Sequence, residues 1–257
     1  MSGTSTTAGA WGSTRHRVGF YAVIGLVTLA FAGFWAFEGY YVVTAWFPSL
    51  YDEVTPINGV AAGGFMTLLL ACSIATLARP RAAIGPTRVL LIGAGWLGLL
   101  MPAAFVLTDP LVTVIGVTVA AAALSLVGWL HPARNRLFVS KPAVSLPLVG
   151  LTVLLAIPFL WLAAHYQWQQ VTLDDEIAER WFYGGLSMYL LVTLSLAAVG
   201  SVDASTRRFT AGSAALLAGL LALVSVVHPD ELHSLGLLGG LALLAWAGCV
   251  VVLVARE

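Results

Sequence analysis

A carboxylate and two imidazoles lie within or at the ends of long apolar runs, and they are the residues best suited to chemistry. Glu38 is the one charged residue of the aromatic segment GFWAFEGYYVVTAWF at residues 33–47, and His165 and His228 end two later apolar runs. A charged group at membrane depth is costly unless it faces protein, water or a partner, so it marks a candidate functional site. The three side chains together could coordinate copper or zinc, or relay protons near neutral pH.

Other residues at the same level could contribute to such a site. Asp109 ends a third apolar run, and Trp35 and Trp161 lie close to Glu38 and His165 in the sequence. Tryptophan rings at this level are typical of the aromatic belt at the lipid–water boundary, and their faces also bind flat or cationic ligands. We therefore predict a ligand-binding pocket that contains Glu38, Asp109, His165, His228, Trp35 and Trp161.

Two observations leave the chemistry of this pocket open. Polar residues at the ends of membrane spans also serve simply to contact lipid head groups. The candidate metal ligands are Glu38, His165 and His228, but none of them has the HxxxH or ExxH spacing of two ligands on one helix. The spacing therefore does not distinguish a metal site from a proton relay or from an ordinary interfacial layer.

The composition sets the class of protein in which these residues must act. Of the 257 residues, 60% are hydrophobic and only 9% are charged, and the mean hydropathy is +0.93. A soluble domain of this size cannot bury so much apolar surface, whereas a lipid bilayer removes the need to do so. The arginines occur singly or in pairs, which gives no extended basic face for nucleic acid. The composition predicts an all-α protein that crosses the membrane several times.

Eight segments are long and apolar enough to cross a bilayer, which requires roughly 20 residues per helix. The predicted spans are residues 18–46, 57–78, 88–107, 110–130, 143–166, 181–200, 210–228 and 234–255. The turn-forming sequences LTDPL at 107–111 and HPDELHS at 228–234 make two of the connections tight helical hairpins.

The charges orient these spans. With the N-terminus inside, the cytoplasmic segments contain eleven of the twelve basic residues, and Arg180 is the single one outside. Basic residues in short loops stay on the cytoplasmic side, so both termini are predicted to be cytoplasmic. Nine acidic residues fall in the opposite loops: Asp52, Glu53, Asp109, Asp174, Asp175, Glu176, Glu179, Asp230 and Glu231. They would make the outer face negative and attractive to cations.

The order of features divides the chain into two similar halves. Residues 18–130 and 143–257 each begin with a long span that has an aromatic outer end, followed by an acidic loop and a Gly-rich second span. This order suggests a parallel repeat of four helices and four helices. Residues 131–142 would be a cytoplasmic linker, and the Ser/Thr/Gly-rich residues 1–17 a disordered cytoplasmic N-terminus.

Three functions are compatible with these features. The preferred one is a transporter or permeation protein of the cell membrane for a cation or small solute, which the acidic outer face would gather. The second is a membrane-embedded redox or lipid-modifying enzyme with a metal or haem, and the third is a non-catalytic subunit or scaffold. The expected partner is the lipid bilayer, with a second copy or a membrane complex as further candidates. Cys72 and Cys249 show no CxxC spacing that would favour a metal or redox centre.

Overall fold

The computed structural model describes residues 14–36, 41–44, 46, 56–103, 109–138, 142–175, 178 and 181–256. Within these residues it is all-helical, and eight helices are long and apolar enough to cross a membrane, which confirms the predicted number. The long helices are α1 (Thr14–Phe34), α3 (Pro56–Ala78), α4 (Ile84–Ala103), α5 (Pro110–Leu130), α7 (Leu146–Thr172), α8 (Phe182–Val202), α9 (Arg207–Val227) and α10 (Gly236–Arg256). Two short helices are α2 (Tyr41–Thr44) and α6 (Arg134–Phe138).

The first span differs from its prediction. The sequence predicts one helix over residues 18–46, whereas α1 ends at Phe34, a π-helical turn follows at residues 35–36, and α2 is a separate short helix. Glu38 lies between these two helices and outside the described residues. Its predicted depth within a continuous first span therefore stays a prediction.

The long helices of the first and second halves of the chain share one core. In the first half, α1, α3, α4 and α5 contact one another in chain order, and α1 also contacts α5. In the second half, α7, α8, α9 and α10 show the same order of contacts, including α7 with α10. Extensive contact between the halves comes from α3 and α4 on one side and α8 and α9 on the other.

Burial follows this arrangement. Helices α3, α8 and α9 are the most buried, whereas α1, α5 and α7 expose most of their apolar residues. Leucines and valines on such faces are stable only in contact with hydrocarbon, so the outer helices face lipid. The ionisable groups that can interact with protein must therefore lie along the central helices or at the two ends of the bundle.

The connections alternate between two ends, which we name for a residue in each. The Asp203 end contains the connections at residues 79–83, 131–145 and 203–206. The His233 end contains those at residues 104–109, 173–181 and 228–235. Close approach of the second-half helices depends on small residues: a Cβ on Gly240 would lie 2.8 Å from Val226 Cγ2 and 2.9 Å from the Ala222 carbonyl oxygen. The backbones of α9 and α10 come this close because Gly240 has no side chain.

Candidate functional site

The sequence-predicted site residues on α7 lie on its outer surface. The imidazole of His165 stacks on the indole of Trp161, with ring centroids 5.6 Å apart and planes 3° from parallel. Both side chains are exposed, Trp161 by 66%. The next residue, Tyr166, is buried and faces the core. Because successive residues of an α-helix are turned by about 100°, the inward position of Tyr166 directs His165 away from the bundle interior.

Three other predicted residues, Asp109, Trp35 and His228, each make a different interaction at the His233 end. The Asp109 carboxylate caps α5 by accepting a hydrogen bond from the Val112 backbone N–H at 3.1 Å. Trp35 donates its indole N–H to Thr67 Oγ1 at 3.0 Å. His228 caps the C-terminus of α9, and its buried Nε2 has no hydrogen-bond partner among the described residues.

The described part of the chain contains no group of three or more His, Cys, Asp or Glu side chains that could hold a metal ion. Since Glu38 is outside that part, the proposed ligand set of Glu38, His165 and His228 stays a prediction. The structure instead brings together residues that the sequence analysis did not select.

A half-buried histidine, His233, contacts residues from both halves of the chain. Its Nδ1 is 3.3 Å from Asn58 Nδ2 on α3, which belongs to the first half. Its ring lies between Tyr166 of α7 and Tyr183 of α8, with centroid distances of 5.3 and 5.2 Å and interplanar angles of 86° and 76°. In the described orientation of the Asn58 amide its nitrogen faces His233 Nδ1, and this contact is a hydrogen bond when the imidazole is neutral with its proton on Nε2.

Asp175 supports this arrangement from the α7–α8 connection. Its carboxylate accepts hydrogen bonds from Tyr183 Oη at 3.2 Å and from the Ala178 backbone N–H at 2.8 Å. Gln170 on α7 donates to the Ala178 carbonyl oxygen at 2.8 Å and accepts from the Gly184 N–H at 2.9 Å. These bonds hold the start of α8, and with it Tyr183, against α7.

Burial dominates the electrostatics of His233. Loss of hydration lowers the pKa of its imidazole from 6.5 to about 4, and the negative charge of Asp175 opposes this shift only in part. The neutral form therefore persists well below neutral pH while the site stays closed.

Two bulky residues at this end have left-handed backbone conformations, which are uncommon outside glycine. His233 has φ of +68° and Trp181 has φ of +59°. Such conformations cost roughly 1–3 kcal/mol, and they cluster at ligand clamps and switch regions. Trp181 lines the cavity described in the next paragraph, and His233 contacts Asn58, which also lines it.

A cavity of about 170 Å³ opens between the first half and α8 at the His233 end. It is lined by Phe34, Asn58, Ala61, Ala62, Met66, Leu97, Met101, Trp181, Phe182, Gly185, Leu186 and Met188. None of these twelve residues is charged, and Asn58 and the Trp181 indole supply the polar groups. The cavity therefore suits a small and mainly apolar molecule with a hydrogen-bonding group.

The position of Trp181 depends on the glycine at 184. A Cβ added to Gly184 would lie 2.5 Å from Trp181 Nε1, so the indole occupies space that any other residue would fill. The buried Nε1–H has no hydrogen-bond partner among the described residues. Native structures contain few such orphaned donors, so an acceptor supplied by a ligand would stabilise this one.

The opposite end of the bundle is joined by a buried ion pair. The Arg88 guanidinium on α4 contacts the Asp203 carboxylate at the end of α8, and also donates to Thr206 Oγ1 at 3.0 Å and to the Leu137 carbonyl oxygen at 2.9 Å. Ser205 donates its backbone N–H and its hydroxyl to Asp203 Oδ1 at 3.0 and 2.8 Å. The side chains of Arg88 and Asp203 are only 11% and 3% exposed. This network ties the first half to the second.

Asp203 was not among the predicted site residues, although the sequence contains a signal for it. Asp203 is the one acidic residue in the three basic loops predicted to be cytoplasmic between spans. An isolated acid among arginines at a span end is a candidate for a structural ion pair. His233 carries no comparable signal, because its burial depends on the α9–α10 connection folding back over α3.

A buried histidine lies at the Asp203 end. His131 is 2% exposed; its Nδ1 accepts the Ala133 backbone N–H at 3.1 Å and its Nε2 is 3.3 Å from Thr87 Oγ1. Burial lowers the pKa of His131 to about 4, against the opposing effect of a backbone hydrogen bond at Pro80. This histidine is held neutral within the first half.

Comparison with known proteins gives no match to a protein-family model, to a curated protein or to a solved structure. The fold itself defines the class: eight apolar helices of spanning length make this an integral, multi-pass membrane protein in a lipid bilayer.

Proposed function

We propose that this protein transports a small, mainly apolar solute across the cell membrane and binds it in the cavity between the halves. One observation carries the proposal: the halves enclose a cavity at the His233 end, while the Arg88–Asp203 pair holds them together at the Asp203 end. A binding site between the halves near one end of the bundle, with the halves held together at the other end, is an arrangement from which alternating access can proceed.

The order of helix contacts supports two halves that move against each other. Each half is a closed four-helix group, and its second and third long helices form the contact with the other half. We propose that residues 18–130 and 143–257 are duplicated units in parallel orientation, joined by the linker at 131–142. Transport would then consist of one half rocking against the other around the cavity.

The proposed orientation places the Asp203 end in the cytoplasm, because the arginines of the connecting loops lie at that end. Both termini would be cytoplasmic. The cavity would open outward, below the acidic loops and a belt of exposed tryptophans. Asp109, His165 and His228 stay candidates for the rim of this entrance, since these three fall toward the His233 end, and Glu38 stays a candidate from the sequence alone.

The apolar lining favours a small solute over a free cation. A desolvated cation requires carboxylates or several carbonyl oxygens. The described lining residues include one side-chain amide, that of Asn58, and no carboxylate. A hydroxyl, carbonyl or ether group on an otherwise apolar solute would match Asn58 and the indole N–H of Trp181.

Cysteine accessibility tests this function without knowledge of the solute. Ala62→Cys, in a background with Cys72→Ala and Cys249→Ala, places one thiol in the cavity. The small membrane-impermeant thiosulfonate reagent MTSET is applied to intact cells and to inverted membrane vesicles. We expect modification from the His233 side in the parent. From the Asp203 side we expect slow modification in the parent. Asp203→Asn should accelerate it at least about tenfold, because breaking a buried ion pair destabilises the form closed at that end by several kcal/mol.

Two exposed positions supply the controls. Thr172→Cys reports access to the His233 end and Ala204→Cys access to the Asp203 end. If Ala204→Cys reacts from the Asp203 side but Ala62→Cys never does so, even with Asp203→Asn, the cavity does not alternate and the transport proposal is wrong.

A further inference from the structure

We propose that His233 is a proton-binding site that controls access to the cavity, and that a proton from the compartment at the His233 end opens it. This inference rests on the proposed function for its purpose, but its geometry and its test are independent of transport.

His233 and the cavity share one residue. Asn58 lines the cavity and also forms the 3.3 Å contact with His233 Nδ1. Asn58 belongs to the first half, whereas His233 lies on the α9–α10 connection of the second half. The hydrogen bond therefore spans the junction whose separation would open the cavity.

A proton on Nδ1 reverses this contact. The nitrogen that accepts the Asn58 amide N–H becomes a donor, so in the described amide orientation two donors face each other and this hydrogen bond is lost. The added positive charge would also lie against the rings of Tyr166 and Tyr183 on a half-buried side chain, with Asp175 offsetting only part of the lost hydration. Removing part of the hydration of a charge costs free energy, so the protonated form favours separation of the halves.

Among the residues that the structure describes, the groups around His233 supply no free counter-charge. From α3 it faces the uncharged Asn58, from α7 Tyr166, and from α8 Tyr183. Asp175, in the α7–α8 connection, is the described acid whose charge favours the imidazolium, but its oxygens already accept hydrogen bonds from Tyr183 and Ala178. On its own connection lie His228, Asp230 and Glu231, of which the two acids are exposed to solvent.

The sign of the pH effect follows from these two environments. In the closed form burial lowers the pKa of His233 to about 4, whereas a hydrated ring in the open form would return toward 6.5. Between those values the open form binds a proton and the closed form does not. Acidification from pH 8 to pH 5 should therefore raise the ratio of open to closed protein by about 30-fold. The effect should level off below pH 4.

The Ala62→Cys protein tests this with MTSET applied at the His233 side between pH 8 and pH 4. Thiol reactivity itself falls with pH, so each rate is divided by that of Thr172→Cys, an exposed thiol at the same end. We expect the ratio to rise about 30-fold from pH 8 to pH 5. His233→Asn keeps a neutral side chain that tolerates the left-handed backbone, and it should hold the ratio at its low value throughout.

Three further variants make the outcome decisive. His131→Gln removes a buried imidazole at the opposite, Asp203 end and should retain the full rise. His233→Gln repeats the neutral substitution if His233→Asn folds poorly, and His233→Lys, charged at every pH of the series, should give a high and constant ratio.

A parent ratio that does not rise with acid would overturn the inference, as would a rise that persists in His233→Asn or His233→Gln. Either result would leave the transport proposal standing, because that proposal is decided by access from the Asp203 side. Conversely, an acid-dependent cavity that never opens toward the Asp203 end would retain the proton site and exclude transport.

Discussion

Arg88 and Asp203 form an ion pair that joins the third long helix of the first half to the second long helix of the other half. Both side chains are almost fully buried, and the hydroxyls of Ser205 and Thr206 complete the hydrogen bonding of the carboxylate. Charges withdrawn from water in this way are tolerated only together, because each compensates the other's loss of hydration. The Asp203 end therefore behaves as a single unit across the two halves.

Asp203→Ala should remove this compensation and leave the Arg88 guanidinium buried without its carboxylate. We expect the free energy of unfolding to fall by about 3–5 kcal/mol, measured by denaturant or thermal unfolding in detergent micelles. Ser205→Ala is the matched control, since it removes hydrogen bonds to the same carboxylate but no charge, and should cost about 1 kcal/mol. Equal losses in the two variants would show that the ion pair contributes nothing beyond its hydrogen bonds.

Two adjacent glycines provide a test of the Trp181 position. A Cβ on Gly184 would lie 2.5 Å from Trp181 Nε1, whereas a Cβ on Gly185 would lie 3.8 Å from the nearest indole atoms, an ordinary contact. Gly184→Ala should displace the indole and lower the free energy of unfolding by about 1–3 kcal/mol. Gly185→Ala should leave stability nearly unchanged. Thermal unfolding and the accessibility of Ala62→Cys report the two effects, and similar behaviour of both variants would contradict the described position of Trp181.

His131 should make stability depend on pH at the Asp203 end. Its pKa in the folded protein is about 4, below the usual 6.5, so the unfolded chain binds the proton first as the pH falls. The contribution of His131 to stability is thus complete above pH 6.5 and is lost between pH 6.5 and pH 4, by at most about 1.4 kcal/mol per pH unit.

Unfolding of His131→Gln and of the parent at pH 8, 6 and 4.5 measures this slope. The free energy of unfolding of the variant should fall less steeply with decreasing pH than that of the parent. His16→Gln, which removes an imidazole beside Trp129 near the same end, should decline as the parent does. A parent slope that survives in His131→Gln would assign the pH dependence to other groups.

The span number was predictable because the bilayer imposes it locally. Hydrocarbon thickness fixes the length of each apolar run, and Pro and Asp at residues 109–110 mark where α5 begins, with Asp109 as its cap. The same local logic gave the bounds of most helices to within a few residues. It was wrong for the first span, where an uninterrupted aromatic run suggested one helix and the backbone instead ends α1 at Phe34.

The candidate site was far less predictable, because side chains meet according to helix rotation and packing. His165 and Tyr166 are neighbours in sequence, yet the tyrosine contacts His233 in the core while the histidine stacks with Trp161 on the outer surface. Successive residues of an α-helix are rotated by about 100°, so the two side chains point in different directions. Counting residues along a span gives depth in the membrane but not this direction. Depth placed the ionisable residues at one level, but rotation decided which of them could interact.

By itself, the sequence determined that this chain is a membrane-embedded, all-helical protein with eight spans. The reason is that the bilayer sets the required composition and length of each apolar run, independently of how the helices pack. Only the tertiary structure decided that Asn58 meets His233 and that Arg88 meets Asp203. Each of these contacts joins segments far apart in the chain. Such contacts form because α3 and α4 share a buried surface with α8 and α9, and that surface exists only once both halves have assembled.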